Sequence, residues 1–266
     1  MDRTETRYTS RDGIGTLTLA RPEIRNALTG TEILDEIITT VETADSADNV
    51  AVLIITGEGS AFSAGGNVKD MDSGTGLFSG DVGTIAEGYR RTIQRLTATM
   101  AATDLVTIAA VNGPAIGAGF DLVLGCDLRI GSTNARFAHT FADLGILPGD
   151  GGAWMLPRVV GWQRAAELAF TARTIGADEA AALDVLLEVV EPADLMDRTL
   201  NLAATIASKP SHSIRLTKRL LRHARQMDLP EFLDLTAAYQ AIAHADPQHR
   251  TAVSAFLRAL DSRSDE

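Results

Sequence analysis

The chain has 266 residues, 45% of them apolar and 22% charged, with a formal net charge of -11 at pH 7 and an isoelectric point near 4.9. That length suits one large domain, or a core with an appendage, and it can bury a substantial interior. The acidic field disfavours nucleic acid and anionic membrane as partners, though a local cluster of Arg or Lys can still hold an anionic ligand.

The first predicted strand is residues 15–20, GTLTLA, where Thr and Leu alternate. A helix should follow, with Thr31 as N-cap and Ile33, Leu34, Ile37, Ile38 and Val41 recurring as one apolar stripe. Residues 50–57, VAVLIITG, are almost wholly apolar and β-branched, the pattern of a strand buried on both faces in a parallel sheet. A flexible segment at 72–83 leads to a helix around 85–100 and a third apolar strand at 106–111, VTIAAV. Another helix and the strand 127–130 come next. From about Gly151 helical patterns dominate, broken by a short strand at 187–190, and the tail from SIRLTKRLLRHARQ onward reads as successive amphipathic helices. Strands alternating with helices imply right-handed crossovers in an α/β layer structure.

Cys126 is the only cysteine, so no internal disulfide forms, which suits a reducing cytoplasm. Within LVLGCDLRI it reads as a buried, inert thiol. The charged N-terminal MDRTETRYTSRDG lacks the apolar core of a secretory leader. The uncharged run 105–120 is interrupted by Asn112, Gly113 and Pro114, which argues against a membrane span.

Two strands are each followed by a glycine turn and a helix start: AFSAGGNVKDM after residues 50–57, and NGPAIGAGFD after residues 106–111. Helix N-termini carry unpaired N–H groups and partial positive charge. Two such termini side by side could aim two N–H groups at one carbonyl oxygen, as an oxyanion hole. Glycines in tight turns also have a purely structural reading.

RPEIRNAL, AFSAGGNVKDM, AAVNGPAIGAGFDLVLGCDLRI, ARFAHTFADLGILPGDGGAWMLPRVVG and SAFL occur in the order and spacing of one family. Over nearly its whole length the chain resembles the crotonase family, the enoyl-CoA hydratase/isomerase superfamily. The resemblance implies an α/β spiral of ββα units with the acyl-CoA site in residues 1–200. It also implies a helical trimerisation region at 201–266 and a homotrimer or dimer of trimers. CoA enters as part of the substrate, with no separate cofactor.

By the same resemblance the oxyanion donors fall on the N–H groups of Gly66 and Ala118. CoA contacts fall on Arg25, Ala27, Leu28, Ala64, Asn67 and Val68, and on Phe256 from the C-terminal helix. Asn67 stands where the family often has Asp. The family's basic residue after Phe256 falls on Ala259, leaving Arg258 or Lys218 to take a phosphate.

The hydratases use two glutamates. Here the first position is Asp121 and the second is Phe141, which cannot transfer a proton. Three residues are candidates for acid–base work. Asp121 directly follows the oxyanion turn. His139 lies two positions before Phe141, on the same side if the segment is extended, and an imidazole titrates near pH 6.5. Asp150, in LPGDGG, precedes a helix and also reads as its N-cap.

The expected activity is therefore of the enoyl-CoA hydratase/isomerase type, through an oxyanion-stabilised enolate with Asp121 as general acid/base. The alternative is a catalytically silent acyl-CoA binder that lost its second carboxylate. His244 and His249 lie five apart, too far for one helical face, and His212 and His223 read as solvated. Neither a metal site nor a nucleotide-binding glycine motif is expected. Leu216, Leu220 and Leu221 read as a stripe that oligomerisation would cover.

Overall fold

A computed structural model of the chain describes residues 4–47 and 49–264, with side chains as far as Asp261. It opens with a hairpin that the apolar pattern does not announce. β1 (Thr6–Arg11) pairs antiparallel with β2 (Ile14–Leu19), from Thr6↔Leu19 to Arg11↔Ile14. Only Thr6 of β1 is buried, so the strand has no alternation to read. Its signal is the Asp12–Gly13 turn, where both residues take positive φ (52° and 80°), the geometry that favours Asp-Gly in tight hairpins.

α1 (Ile33–Ser46) buries the predicted stripe. Its N-cap position is Glu32, not Thr31, whose hydroxyl instead accepts from the Ile33 N–H at 3.4 Å. β3 (Val52–Gly57) follows, then α2 (Val68–Ser73). The single helix expected at 85–100 is two, α3 (Val82–Arg91) and α4 (Ile93–Ala102), parted at Thr92 with φ -115° and ψ -95°. The Thr92 hydroxyl donates back to Gly88 O at 2.7 Å, a bond that competes with the helix ladder.

Next come β4 (Val106–Val111), β5 (Pro114–Ile116), α5 (Ala118–Leu124), β6 (Leu128–Ser132) and β7 (Arg136–Ala138). α6 (Gly152–Val160), α7 (Trp162–Thr171), β8 (Ile175–Gly176), α8 (Ala177–Ala182) and β9 (Glu188–Val190) complete the core chain. α9 (Leu195–Ala207), α10 (Ser211–His223), α11 (Leu229–Ala245) and α12 (Pro247–Ser264) form the tail.

The main sheet runs β1-β2-β3-β4-β6-β9, parallel throughout except for β1 against β2. A smaller sheet runs β5-β7-β8, and a parallel bridge from Ser63 to Ala115 extends it to the turn after β3. Each successive turn of chain thus lays one strand in each sheet and then a helix, a spiral of ββα units.

β3 and β4 are buried on both faces, as their apolar runs require. Leu53, Ile55, Ala109 and Val111 face a core shared with α1, α4 and α5. Val52, Ile54, Ile108 and Ala110 face a second core closed by Leu195 and Ala203 of α9. The expected boundary between residues 200 and 201 falls inside α9.

α10 is bound to the sheet's lower edge by charge. Lys218, 7% exposed, donates to Leu105 O and to Asp127 Oδ2 at 2.7 Å. Arg219 and Arg222 both grip Asp104, and Arg215 holds Asp45 at 2.8 Å. Lys218 is therefore engaged as a structural cation, which leaves Arg258 of the two residues considered for a phosphate. Leu216 likewise packs inside its own chain at 8% exposure, while Leu221 stays exposed.

Lys218→Ala strips the Asp127 carboxylate and the Leu105 carbonyl of their shared cation. Breaking a fully buried pair costs about 3–5 kcal/mol. Asp127 is one-third exposed, so a loss of about 1–3 kcal/mol is expected, read as a lower urea midpoint at unchanged slope.

Candidate active site

The two glycine turns meet. Phe62 and Ser63 both donate their N–H to Pro114 O, at 3.0 and 3.1 Å, and Ile116 N–H returns to Ser63 O at 2.9 Å. A Cβ on Gly65 would overlap Ile116 O and lie 3.0 Å from Ala118 N. One on Gly119 would stand 2.5 Å from Ser63 O. Hydrogen alone fits at both positions. Gly117 has φ 53° and ψ -121°, open only to glycine, and it swings the chain from β5 into α5.

Ala118 is the first residue of α5, so its N–H has no partner in the helix. Among the described residues neither it nor the Gly66 N–H finds an acceptor. Alanine fits at 118 without strain, because this residue needs no positive φ.

Every residue of α5 is buried, Asp121 included at 3% exposure. Its Oδ1 lies 2.6 Å from His139 Nε2, and its Oδ2 accepts the Gly152 N–H at 3.1 Å. That N–H is the first of α6, so the carboxylate also sits in the favourable field of a helix N-terminus. A Cβ on Gly152 would overlap Asp121 Oδ1 and stand 2.5 Å from His139 Nε2. Glycine is required there.

Asp150 does not cap α6. The N-cap position is Gly151, with φ 105°. Asp150 is 6% exposed, and its carbonyl accepts from Thr97 Oγ1. Its carboxyl, with Asp121, Ala118, Leu96, Met100 and Met155, lines one small cavity. Burial, and then the nearby Asp121 charge, push the Asp150 carboxyl up to about 7. Burial and the Asp150 charge also raise the Tyr89 hydroxyl, on α3. Tyr89 is a neighbour that the sequence did not single out.

His139 is 1% exposed and does not line that cavity. It stands behind Asp121, packed edge-on against Phe120 and Phe141 with ring centroids 5.5 and 5.2 Å away. β7 ends at Ala138, and Phe141 is helical (φ -60°, ψ -41°), not extended. The two side chains still meet, because the chain turns into a short 3-10 segment there.

Arg25 to Leu28 and Ala64 to Val68 come together through Ala64 N–H to Arg25 O (2.8 Å) and Leu28 N–H to Gly65 O (2.7 Å). Ala27 and Leu28 are buried, and Arg25 and Val68 are exposed. Asn67 is the N-cap of α2, accepting from Lys69 N–H at 3.1 Å. Phe256, 66% exposed, lies on α12, which packs against α11.

Two histidine readings change. His244 Nδ1 and His249 Nε2 lie 3.0 Å apart, because the chain breaks at Asp246 between α11 and α12 and they share no single helix. His212 is half-buried, with Nε2 lacking a partner among the described residues. Among the described residues no group of three His, Cys, Asp or Glu could hold a metal ion. Cys126 is buried and its thiol is pushed up to about 12 by burial. No helix among the described residues is long and apolar enough to cross a membrane.

Residues 9–263 match the family model for enoyl-CoA hydratase/isomerase. The 1,2-epoxyphenylacetyl-CoA isomerase of Escherichia coli K12 is 34% identical over 245 residues, 92% of each chain. The crotonyl-CoA hydratase of Syntrophomonas wolfei is 33% identical, over 92% of this chain and 91% of its own. Among solved structures, the enoyl-CoA hydratase of Bacillus anthracis superposes with a TM-score of 0.89 at 27% identity, covering 96% of this chain and 97% of that one.

The raised Asp150 carboxyl carries a sign for stability. Unfolded, it titrates near 3.8; folded, near 7. Between these values the folded state binds the extra proton, so this group's contribution to stability falls as pH rises through that window. Asp150→Asn, which mimics the protonated form, should exceed wild type in unfolding free energy at pH 8 by about 1–4 kcal/mol. The gap should close by pH 4 in parallel denaturant titrations.

Proposed function

The chain belongs to the enoyl-CoA hydratase/isomerase family, and on that premise we propose that it shifts the double bond of an enoyl-CoA thioester, with Asp121 and Asp150 as its acid–base pair. The observation that carries this is that Ala118, Asp121 and Asp150 line one cavity. The thioester oxygen takes the N–H groups of Gly66 and Ala118. Asp121 removes the α-proton, and the electron pair moves onto that oxygen as an enolate. Such a donor is typically worth about 2.7–4 kcal/mol in the transition state. Asp150, which holds a proton near neutral pH, then delivers one to the γ-carbon as the double bond moves into conjugation. One proton leaves the substrate and one returns, so no outside reactant is consumed.

Phe141 stands where the hydratases of the resemblance carry their second glutamate. Apart from Asp121 and Asp150, the cavity wall is mostly apolar, with Leu96, Met100 and Met155, which offers an attacking water few further polar groups. This favours a proton shift over hydration. The CoA moiety belongs on the surface formed by Arg25, Ala64, Asn67 and Val68, beneath which Ala27 and Leu28 are buried, and Phe256 of α12 is the remaining contact the resemblance implies. CoA arrives as part of the substrate, and the mechanism needs no further cofactor.

A homotrimer, or a dimer of trimers, would cover the large apolar side chains left open on α6 and α7, where Trp162 and Phe170 are 78% and 79% exposed. A cytoplasmic setting fits the single, buried, unoxidised cysteine.

Asp121→Asn should cut exchange of the substrate α-proton with D2O by about 10²–10⁴-fold while leaving the thermal shift given by acyl-CoA nearly intact. Phe141→Glu should gain hydration of a crotonyl thioester and lose stability, since it buries a carboxylate. If wild type neither exchanges nor isomerises any of a panel of short, medium and aromatic acyl-CoAs that it binds, the silent-binder reading replaces this one. Sedimentation at micromolar concentration should give three subunits or a multiple, and a clean monomer rules out the assembly.

A further inference from the structure

We infer that His139 is the positioning residue of this site: from outside the cavity it holds the Asp121 carboxylate in the orientation in which it meets the substrate. The inference rests on the proposed role of Asp121 and extends it to a group that no substrate atom touches.

The geometry is that of a closed pair. His139 Nε2 and Asp121 Oδ1 are 2.6 Å apart, with both side chains at most 2% exposed. The other carboxylate oxygen is fixed by the Gly152 N–H, so the group cannot rotate without breaking a bond at each end. The pair is walled by Phe120 and Phe141 at the imidazole edges and by the bare Cα of Gly152. Any side chain at 152 would break into it. A Gly152→Ala variant is therefore a lesion of the pair.

The second ring nitrogen is informative. Nδ1 is buried with no partner among the described residues. A histidine that served only to fill space would gain by placing both nitrogens on partners, because an unpaired buried polar atom costs about 1–3 kcal/mol. Here one nitrogen is left unpaired so that the other can bond a single carboxylate at short range. The titratable groups facing the imidazole are Asp121 from α5 and, across that carboxylate, Asp150 from the loop before α6. Phe120 and Phe141 contribute none.

The consequence for the reaction balances in protons. A 2.6 Å approach of Nε2 to the ionised Oδ1 needs the ring proton between them, so that nitrogen has no site left for a second proton. The α-proton therefore stays on the Asp121 carboxyl, and the imidazole keeps that carboxyl aimed while the proton arrives.

Two variants and one spectrum test this. His139→Gln keeps a donor toward Oδ1, and His139→Ala removes it. With KM for acyl-CoA held within about twofold, kcat should fall about 10–100-fold in His139→Ala, the scale on which outer-shell partners act. His139→Gln should recover most of that loss. Unchanged kcat in His139→Ala overturns the inference, and so does a His139→Gln variant that recovers none of the loss.

The second readout needs no turnover. In the ¹H–¹⁵N NMR spectrum of wild type, the His139 imidazole should show one tautomer with its proton on Nε2, and Asp121→Asn should move the Nε2 signal. A signal that stays put in a folded Asp121→Asn protein dismisses the pairing, even if the α-proton chemistry is confirmed. Conversely, the shift without exchange on any acyl-CoA upholds the pair and rejects the proposed reaction.

Discussion

The site depends on one backbone contact: the turn after β3 lies against the N-terminus of α5 with no side chain between them. β3 and β4 are neighbours in a parallel sheet, so their following turns emerge at the same end of it. Parallel pairing alone leaves the turns a strand's width apart. Closing that gap takes glycine at 65 and 119, where any Cβ would meet backbone atoms of the other turn. It also takes the unusual dihedrals of Gly117, which point the helix end inward. Once the turns touch, the N–H groups of Gly66 and Ala118 are left free beside each other. Asp121, three residues after Ala118, then lies on the same face of α5 and enters the same cavity.

The same contact explains how a chain of net charge -11 keeps two carboxyl groups buried side by side. Like charges in one dry site cannot both ionise freely, so their environments must differ. Asp121 has a positive helix end and an imidazole as partners. Asp150 has neither, and burial beside Asp121 keeps its proton on. That difference in surroundings is what the proposed acid–base roles rest on, the separation that such pairs in enzymes need. The division comes from the surroundings, since the two residues are chemically identical.

Much of this could be read from the sequence, and the gaps have physical causes. The strand at 106–111 was placed residue for residue, because a strand buried on both faces has a continuous apolar run, and the similar run at 50–57 holds β3. β1 escaped notice because an edge strand with one buried residue has no periodic signal, and β5, β7 and β8 because two or three residues are too few to show one. Thr92 looks like any helical threonine until its hydroxyl turns back on Gly88. At the site, the glycine turns and Asp121 were legible because a close approach of backbones demands particular residues at particular spacings. His139 and Asp150 were named as acid–base candidates and Lys218 as a possible phosphate ligand, but the partners each of them meets were not legible. Each depends on a neighbour far along the chain: Asp121 for the first two, and Asp127 and Leu105 for the last. Spacing along one segment carries no record of such a meeting.

These meetings also show why Phe141 need not silence the site. Its ring packs on the edge of His139, a position that suits an apolar group because the imidazole turns its working nitrogen toward Asp121. The second carboxyl group enters from another element, the loop ahead of α6, two residues before the glycine whose N–H holds Asp121. A single short segment thus supplies both the second acid and the clamp on the first. Moving an acid from 141 to 150 therefore keeps two carboxyls in the cavity while changing what surrounds each of them.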